Sequence, residues 1–240
     1  SSERNFFVAA GLEQLLDYLQ QLQFSEEELA YLKQDNRFDD DFINYLANFR
    51  FSGDVNAIAE GTIVFPNEPI VQIIAPVPQA QLIESRLINL MQYQMMVASK
   101  AVRCRLAAPE KLLVDFGMRR AHGAEAALLS ARANYLAGFD GTSTVLAAQR
   151  FGVPLHGTMA HSYIEAHETE KEAFYAFAQS QPDNITLLID TYDTLAGAKK
   201  VIDLMPQLTQ QGLKVKAVRI DSGDLGQQAK KVRDLLDHAG

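Results

Sequence analysis

The 240-residue sequence contains a single cysteine, Cys104, so it can form neither an internal disulfide nor a thiolate cage around a metal ion. It is also short of basic residues: Lys plus Arg is 22 against 30 for Asp plus Glu, a formal net charge of −8. That balance, with no Lys/Arg run interleaved with aromatics, argues against a nucleic-acid binder that works by neutralising phosphates. It does not exclude a small anionic substrate, because a few arginines in a cleft set the local field whatever the total. Long apolar runs are missing as well. The stretch from Val71 to Val77 is broken by Gln72 and Pro76 and falls far short of a membrane span. The opening Ser1-Ser2-Glu3-Arg4 lacks the character of a signal peptide. A soluble cytoplasmic protein with no membrane or nucleic-acid partner is expected.

What is present is an ordinary globular balance, 48% apolar and 22% charged, at a length ample for a real core. Residues 1 to about 50 read as helical. Leu12, Leu15, Leu16 and Leu19 recur at helical spacing, Ser25-Glu26-Glu27-Glu28 is a capping-box start, and Phe42, Tyr45, Leu46 and Phe49 form a third apolar face. From Phe51 to about Val77, short β-prone runs (54–58, 62–65 and 70–75) alternate with turn signals, which predicts a small antiparallel sheet. Residues 79 to about 107 contain neither Gly nor Pro and read as one long helix. Its apolar content on several sides predicts burial between domains or subunits. The division expected is an α+β domain over 1–107, ending in that helix, and a β/α portion over 108–240.

In the second portion, apolar β-rich runs at 112–116, 153–155, 185–189 and 215–220 alternate with helical spacing, such as Leu195, Ala198, Ile202 and Met205. Such alternation implies a parallel sheet, open or closed into a barrel. Nearly every run ends in a polar cluster: Asp115 to Arg120, His156 to Ser162, Asp190 to Asp193, and Arg219 to Asp224, with Phe139 to Ser143 preceding a helix. The carboxyl ends of parallel strands share one face, and that face carries active sites. Any one cluster could be a capped βα loop; their recurrence points to a site.

Gly141-Thr142-Ser143 and Ser222-Gly223-Asp224 place Gly and hydroxyls just before predicted helices, where free N–H groups attract anions, although ordinary N-caps look the same. Asp221 offers a carboxylate for sugar hydroxyls or magnesium. Arg119 and Arg120 are read at the end of a buried strand, where neighbours point to opposite faces and only one can reach a shared site. Either guanidinium suits a carboxylate or phosphate, and either could equally form a surface ion pair. Among the five histidines, His156, His161 and His167 lie close in sequence, but their spacing matches no metal motif, and no metal site is read there. His161, between Thr158 and Ser162, is placed as a nucleophile or proton carrier.

The run 138–143 (Gly-Phe-Asp-Gly-Thr-Ser), then 151–154 (Phe-Gly-Val-Pro) and 157–162 (Gly-Thr-Met-Ala-His-Ser), resembles the signature region of nicotinate phosphoribosyltransferases. So do 64–69 (Val-Phe-Pro-Asn-Glu-Pro), 116–123 (Phe-Gly-Met-Arg-Arg-Ala-His-Gly), 188–194 (Leu-Ile-Asp-Thr-Tyr-Asp-Thr) and 219–224 (Arg-Ile-Asp-Ser-Gly-Asp). These motifs keep the family's order across nearly the whole chain. The resemblance implies an α/β fold: an irregular type II phosphoribosyltransferase barrel, here partial, beside a smaller α+β domain. It further implies a head-to-tail homodimer with interface active sites. The implied reaction joins nicotinate to phosphoribosyl pyrophosphate, with ATP hydrolysis coupled and Mg²⁺ required.

By motif position, His161 matches the histidine that ATP phosphorylates and Thr158 a nicotinate-contacting residue, with Ser162 in the same loop. Arg119 or Arg120 matches a cationic group near the anionic substrates, Asp221, Ser222 and Gly223 lie near the sugar and phosphates, and Asp190 is a weaker match. The family's opening Asp-x-Tyr-Gln-Leu-Thr segment and its later Phe-Gly-x-Gly-Thr loop have no counterpart here, so the natural polypeptide is expected to be longer at both ends. A nicotinamide- or quinolinate-using relative, or an inactive fragment, is the alternative.

Overall fold

The helices of the first half form where the apolar spacing puts them. In the computed structural model, which describes residues 5–239, α1 (Leu12–Gln21) buries Leu15 and Leu19 on one face. The reading of residues 1–4 falls outside the described residues. Helix α2 (Glu26–Gln34) opens with the expected capping box: the Ser25 hydroxyl accepts from the Glu28 N–H, and the Glu28 carboxylate accepts from the Ser25 N–H at 2.8 Å. Helix α3 (Asp40–Ala47) is capped by Asp39. One element departs from the helical reading of this region: β1 (Phe7–Val8) precedes α1 and pairs antiparallel with β3 (Ile63–Val64). A two-residue strand is too short to show a period of two, which is why the sequence pattern hides it.

The small antiparallel sheet is present as separate pairs, β1 with β3 and β2 (Asp54–Ala57) with β4 (Val71–Ile74). Helix α4 (Val77–Ala107) runs past both, burying Ile83 and Met91 against Leu15 and Leu19, then Met95, Ala98 and Ala101 against Val8 and Val64. Helix α5 (Ala124–Leu136) packs on α4, with alanines on both sides of the contact (Ala98, Ala101, Ala133) allowing close approach.

Parallel pairing begins with β5 (Val114–Asp115) and β6 (Gly141–Thr142), and Thr142 forms a further parallel bridge to Leu155. The run at 112–116 is not the buried strand expected: Leu112 is 66% exposed and Phe116 44%, and only the two central residues pair. Arg119 and Arg120 therefore do not end a strand but sit in a single 3₁₀ turn (Met118–Arg120), both exposed. Nor is Gly141-Thr142 a loop cradling an anion. It is a strand, and Gly141 is required by packing, since a Cβ there would lie 2.5 Å from the carbonyl oxygen of Pro154. The helix that follows, α6 (Val145–Phe151), has no side-chain cap.

Contacts divide the chain into two compact units, Ser1–His156 and Gly157–Gly240. This line runs after the β5–β6 pair, whereas the change of sequence texture falls after the long helix.

The second unit consists of α7 (His161–Glu165), α8 (Glu170–Ser180), β7 (Thr186–Leu188), α9 (Thr194–Gln210), β8 (Ala217–Arg219) and α10 (Leu225–Ala239). β7 and β8 pair in parallel with Leu187 opposite Val218. Ile185, Leu187, Leu188 and Ile189 are fully buried with Phe174, Leu204 and Leu208, as expected for a strand covered on both faces. Helix α9 lies so close to β7 that a Cβ on Gly197 would meet the Ile189 carbonyl oxygen at 2.1 Å.

Candidate active site

In the second unit the carboxyl ends of β7 and β8 and the start of α7 meet. Residues 157–161 run beside β7 in the same direction. The Asn184 side chain donates to the Gly157 carbonyl (3.2 Å), the Thr158 hydroxyl donates to the Thr186 carbonyl (2.6 Å), and His161 arrives level with Thr191. His161 Nδ1 lies 3.1 Å from Thr191 Oγ1, and its Nε2 is 3.5 Å from Asp221 Oδ2. The other oxygen of Asp221 pairs with Arg219 at 3.1 Å. The His161 and Asp221 side chains are 36% and 32% exposed, so the imidazole is oriented yet open to solvent.

Beneath them Asp190 is nearly buried, at 7% exposure. Its Oδ2 accepts from the Asp221 N–H (2.8 Å) and from the Ser222 hydroxyl (2.5 Å), while Oδ1 is buried with no hydrogen-bond partner. Gly223 follows in the exposed turn, and Asp224 caps α10 by accepting from the Gln227 N–H (3.0 Å). Of the residues singled out from sequence, His161, Asp190, Asp221 and Ser222 are thus brought together. Thr158 bonds further down β7, and Ser162 is exposed on α7. Thr191 and Arg219 were not singled out. Each neighbours a strand-end carboxylate, Asp190 or Asp221, and that position was the signal that could have found them.

His167 and His238 have structural partners, the carbonyls of Tyr163 (2.8 Å) and Asp234 (2.5 Å). In the first unit, Asp115 ties the approach to Arg119 and Arg120. Its carboxylate accepts from Asn134 (3.0 Å), from the Thr142 hydroxyl (3.0 Å) and from the Gly117 N–H (3.3 Å).

This order of strand ends has known counterparts. The model described as the nicotinate phosphoribosyltransferase (NAPRTase) N-terminal domain matches residues 1–92, and that of the NAPRTase family matches 112–238. The chain belongs to the nicotinate phosphoribosyltransferase family. It is 48% identical over 237 residues to a nicotinate phosphoribosyltransferase of Mycobacterium tuberculosis, covering 99% of this chain and 51% of that protein. With the nicotinate phosphoribosyltransferase of Bacillus subtilis it shares 39% over 239 residues, covering 99% of this chain and 48% of that one. The crystal structure of human nicotinic acid phosphoribosyltransferase superposes with a TM-score of 0.90 at 30% identity, over 98% of this chain and 57% of that chain. A nicotinate-nucleotide pyrophosphorylase from Pyrococcus furiosus gives 0.77 at 25%, over 98% and 54%. The chain therefore spans about half the length of the curated relatives it matches. In this nicotinate phosphoribosyltransferase-family chain, no helix among the described residues is long and apolar enough to cross a membrane.

Proposed function

We propose that the protein joins nicotinate to phosphoribosyl pyrophosphate, forming nicotinate mononucleotide and pyrophosphate with ATP hydrolysis coupled, and that this chain supplies the phosphate-accepting histidine. The observation that carries the reading is the imidazole of His161, set between Thr191 and Asp221 at the ends of β7 and β8. In the neutral imidazole one ring nitrogen keeps its lone pair, and that nitrogen would attack the terminal phosphorus of ATP, releasing ADP.

In the transfer itself the pyridine nitrogen is already a nucleophile, so no base is needed. Positive charge builds at C1′ as pyrophosphate departs, and the protein's task is to hold the ring beside that carbon. Exposed guanidinium groups, Arg119 or Arg120, would pair with a carboxylate or phosphate of the substrates. The donor set suits magnesium in its phosphate-borne form. Among the described residues no group of three His, Cys, Asp or Glu could hold a metal, but one accessible carboxylate, Asp221, suffices when phosphate oxygens and water complete the shell. Such an ion would neutralise the phosphates. The same reading extends to the architecture: the parallel pairs β5–β6 and β7–β8 would be portions of an irregular type II barrel, the protein a cytoplasmic homodimer with sites at its interface.

The test is phosphoryl transfer from γ-labelled ATP to the protein as encoded, with product measured alongside. Wild-type protein should carry acid-labile label, and His161→Asn should carry none and lose nicotinate-dependent ATP hydrolysis. An unchanged ratio of ATP consumed to product formed in His161→Asn would overturn the assignment. Turnover with nicotinate, nicotinamide and quinolinate separately decides the pyridine substrate.

A further inference from the structure

The most buried acid of the site makes its hydrogen bonds away from the imidazole. Asp190 is 7% exposed, and its Oδ2 alone takes both recorded hydrogen bonds, from the backbone N–H of Asp221 at 2.8 Å and from the Ser222 hydroxyl at 2.5 Å. A carboxylate buried this deeply tolerates its charge only where donors converge on it. These donors belong to the turn that carries Asp221 to within 3.5 Å of His161 Nε2. The next residue after Asp190, Thr191, reaches His161 Nδ1 at 3.1 Å. One dipeptide at the end of β7 thus governs both nitrogens of the ring, Thr191 directly and Asp190 through the turn at the end of β8.

We propose that Asp190 is a positioning residue, not a substrate ligand: it fixes the 221–222 turn so that the Asp221 carboxylate faces the imidazole of His161. The geometry separates this from direct ligation: Oδ2 is filled by protein donors, and Oδ1, though without a partner, is buried away from solvent. Without it, the exposed turn at 221–223 is free to swing and Asp221 no longer faces the ring. An asparagine keeps a carbonyl oxygen able to accept from the Asp221 N–H, so it should retain most of the aim.

This rests on the function proposed above, and the experiment separates the two. In the protein as encoded, Asp190→Ala, Asp190→Asn and Ser222→Ala are compared by steady-state kinetics. The His161 ring ¹³C–¹H cross-peak, assigned by its loss in His161→Asn, is followed at constant pH. Asp190→Ala should move that peak and lower kcat about 150-fold, with KM for each substrate within about threefold of wild type, the loss expected when two hydrogen bonds to a charged acceptor vanish. Asp190→Asn should return kcat to within about fivefold of wild type, and Ser222→Ala should move the peak in the same direction by less. Equal damage from Asn and Ala with a raised KM would overturn the proposal in favour of direct ligation, and an unmoved peak in Asp190→Ala would overturn it outright. If wild-type protein makes no nicotinate mononucleotide, the functional reading fails, but the cross-peak still decides the positioning role.

Discussion

Two clusters of carboxylates around a cationic or ionisable nitrogen group sit in this chain, one in each unit, and they are arranged oppositely. In the first unit Arg132, its side chain 10% exposed, forks onto Glu60 through two bonds of 2.9 and 2.7 Å and also pairs with Glu13. Glu60 in turn accepts from the N–H groups of Gly11 and Leu12. The cluster staples α5, the start of α1 and the turn before β3, and each charge in it is answered. In the second unit, His161 and Asp221 stay about one-third exposed and an Asp190 oxygen is left without a partner. The Arg132–Glu60 pair, largely sealed from solvent, cannot reach a ligand, whereas exposure of the imidazole and its carboxylate is what a reaction needs. Burial separates the structural cluster from the candidate chemical one.

The sharpest way to break this contrast is to remove one member of each. His161→Asn should abolish phosphoryl capture from ATP while leaving thermal stability within about 0.5 kcal/mol of wild type, as for a partly exposed residue outside the core. A destabilised variant would mean that the open cluster is structural after all. Arg132→Ala should do the reverse, costing about 3 kcal/mol in denaturant unfolding because two carboxylates lose their partner, one of them largely buried. Folded molecules of this variant should still accept phosphate. Gly197→Ala should cost about 2 kcal/mol, since the added methyl drives α9 off β7. A neutral result there would show that the second unit is packed more loosely than the first.

A smaller effect should appear with pH. Burial alone would push the Glu60 carboxyl up, but the Arg132 guanidinium and the N–H groups of Gly11 and Leu12 hold it below the ordinary value. A depressed carboxylate contributes stability that is present above its unfolded value, about 4.3, and is lost as pH falls through the folded one. Melting temperature should therefore drop on acidification below that value, and the drop should shrink in Glu60→Gln. An equal slope in both proteins would place the acid sensitivity elsewhere.

Much of the first unit was legible in advance because its signals are local. The Ser25–Glu28 capping box, the uninterrupted helix ending at Ala107 and the antiparallel β2–β4 pair each depend on residues near one another in sequence. In the second unit the apolar run at 185–189 announced a buried strand, and the polar residues after it announced a strand-end site. Arg119 and Arg120 were misplaced because two paired residues cannot carry a strand to its ends, and the chain coils into a 3₁₀ turn instead. Gly141 was misread because a glycine needed for close approach looks, in sequence, like one needed for a turn.

The sequence by itself determined the helices, the buried strand at 185–189 and the family, through periodicity, caps and an ordered series of motifs spanning the chain. It also marked His161, Asp190, Asp221 and Ser222 as candidates. Only the tertiary structure decided what each one touches: that Thr191 and Asp221 share the two nitrogens of His161, that Arg219 holds the far oxygen of Asp221, and that Asp190 supports the turn from below. The reason is that these partners lie on two strands and a helix separated by about thirty residues at each step, and the parallel register of β7 and β8, closed by helix α9, is what brings their ends level.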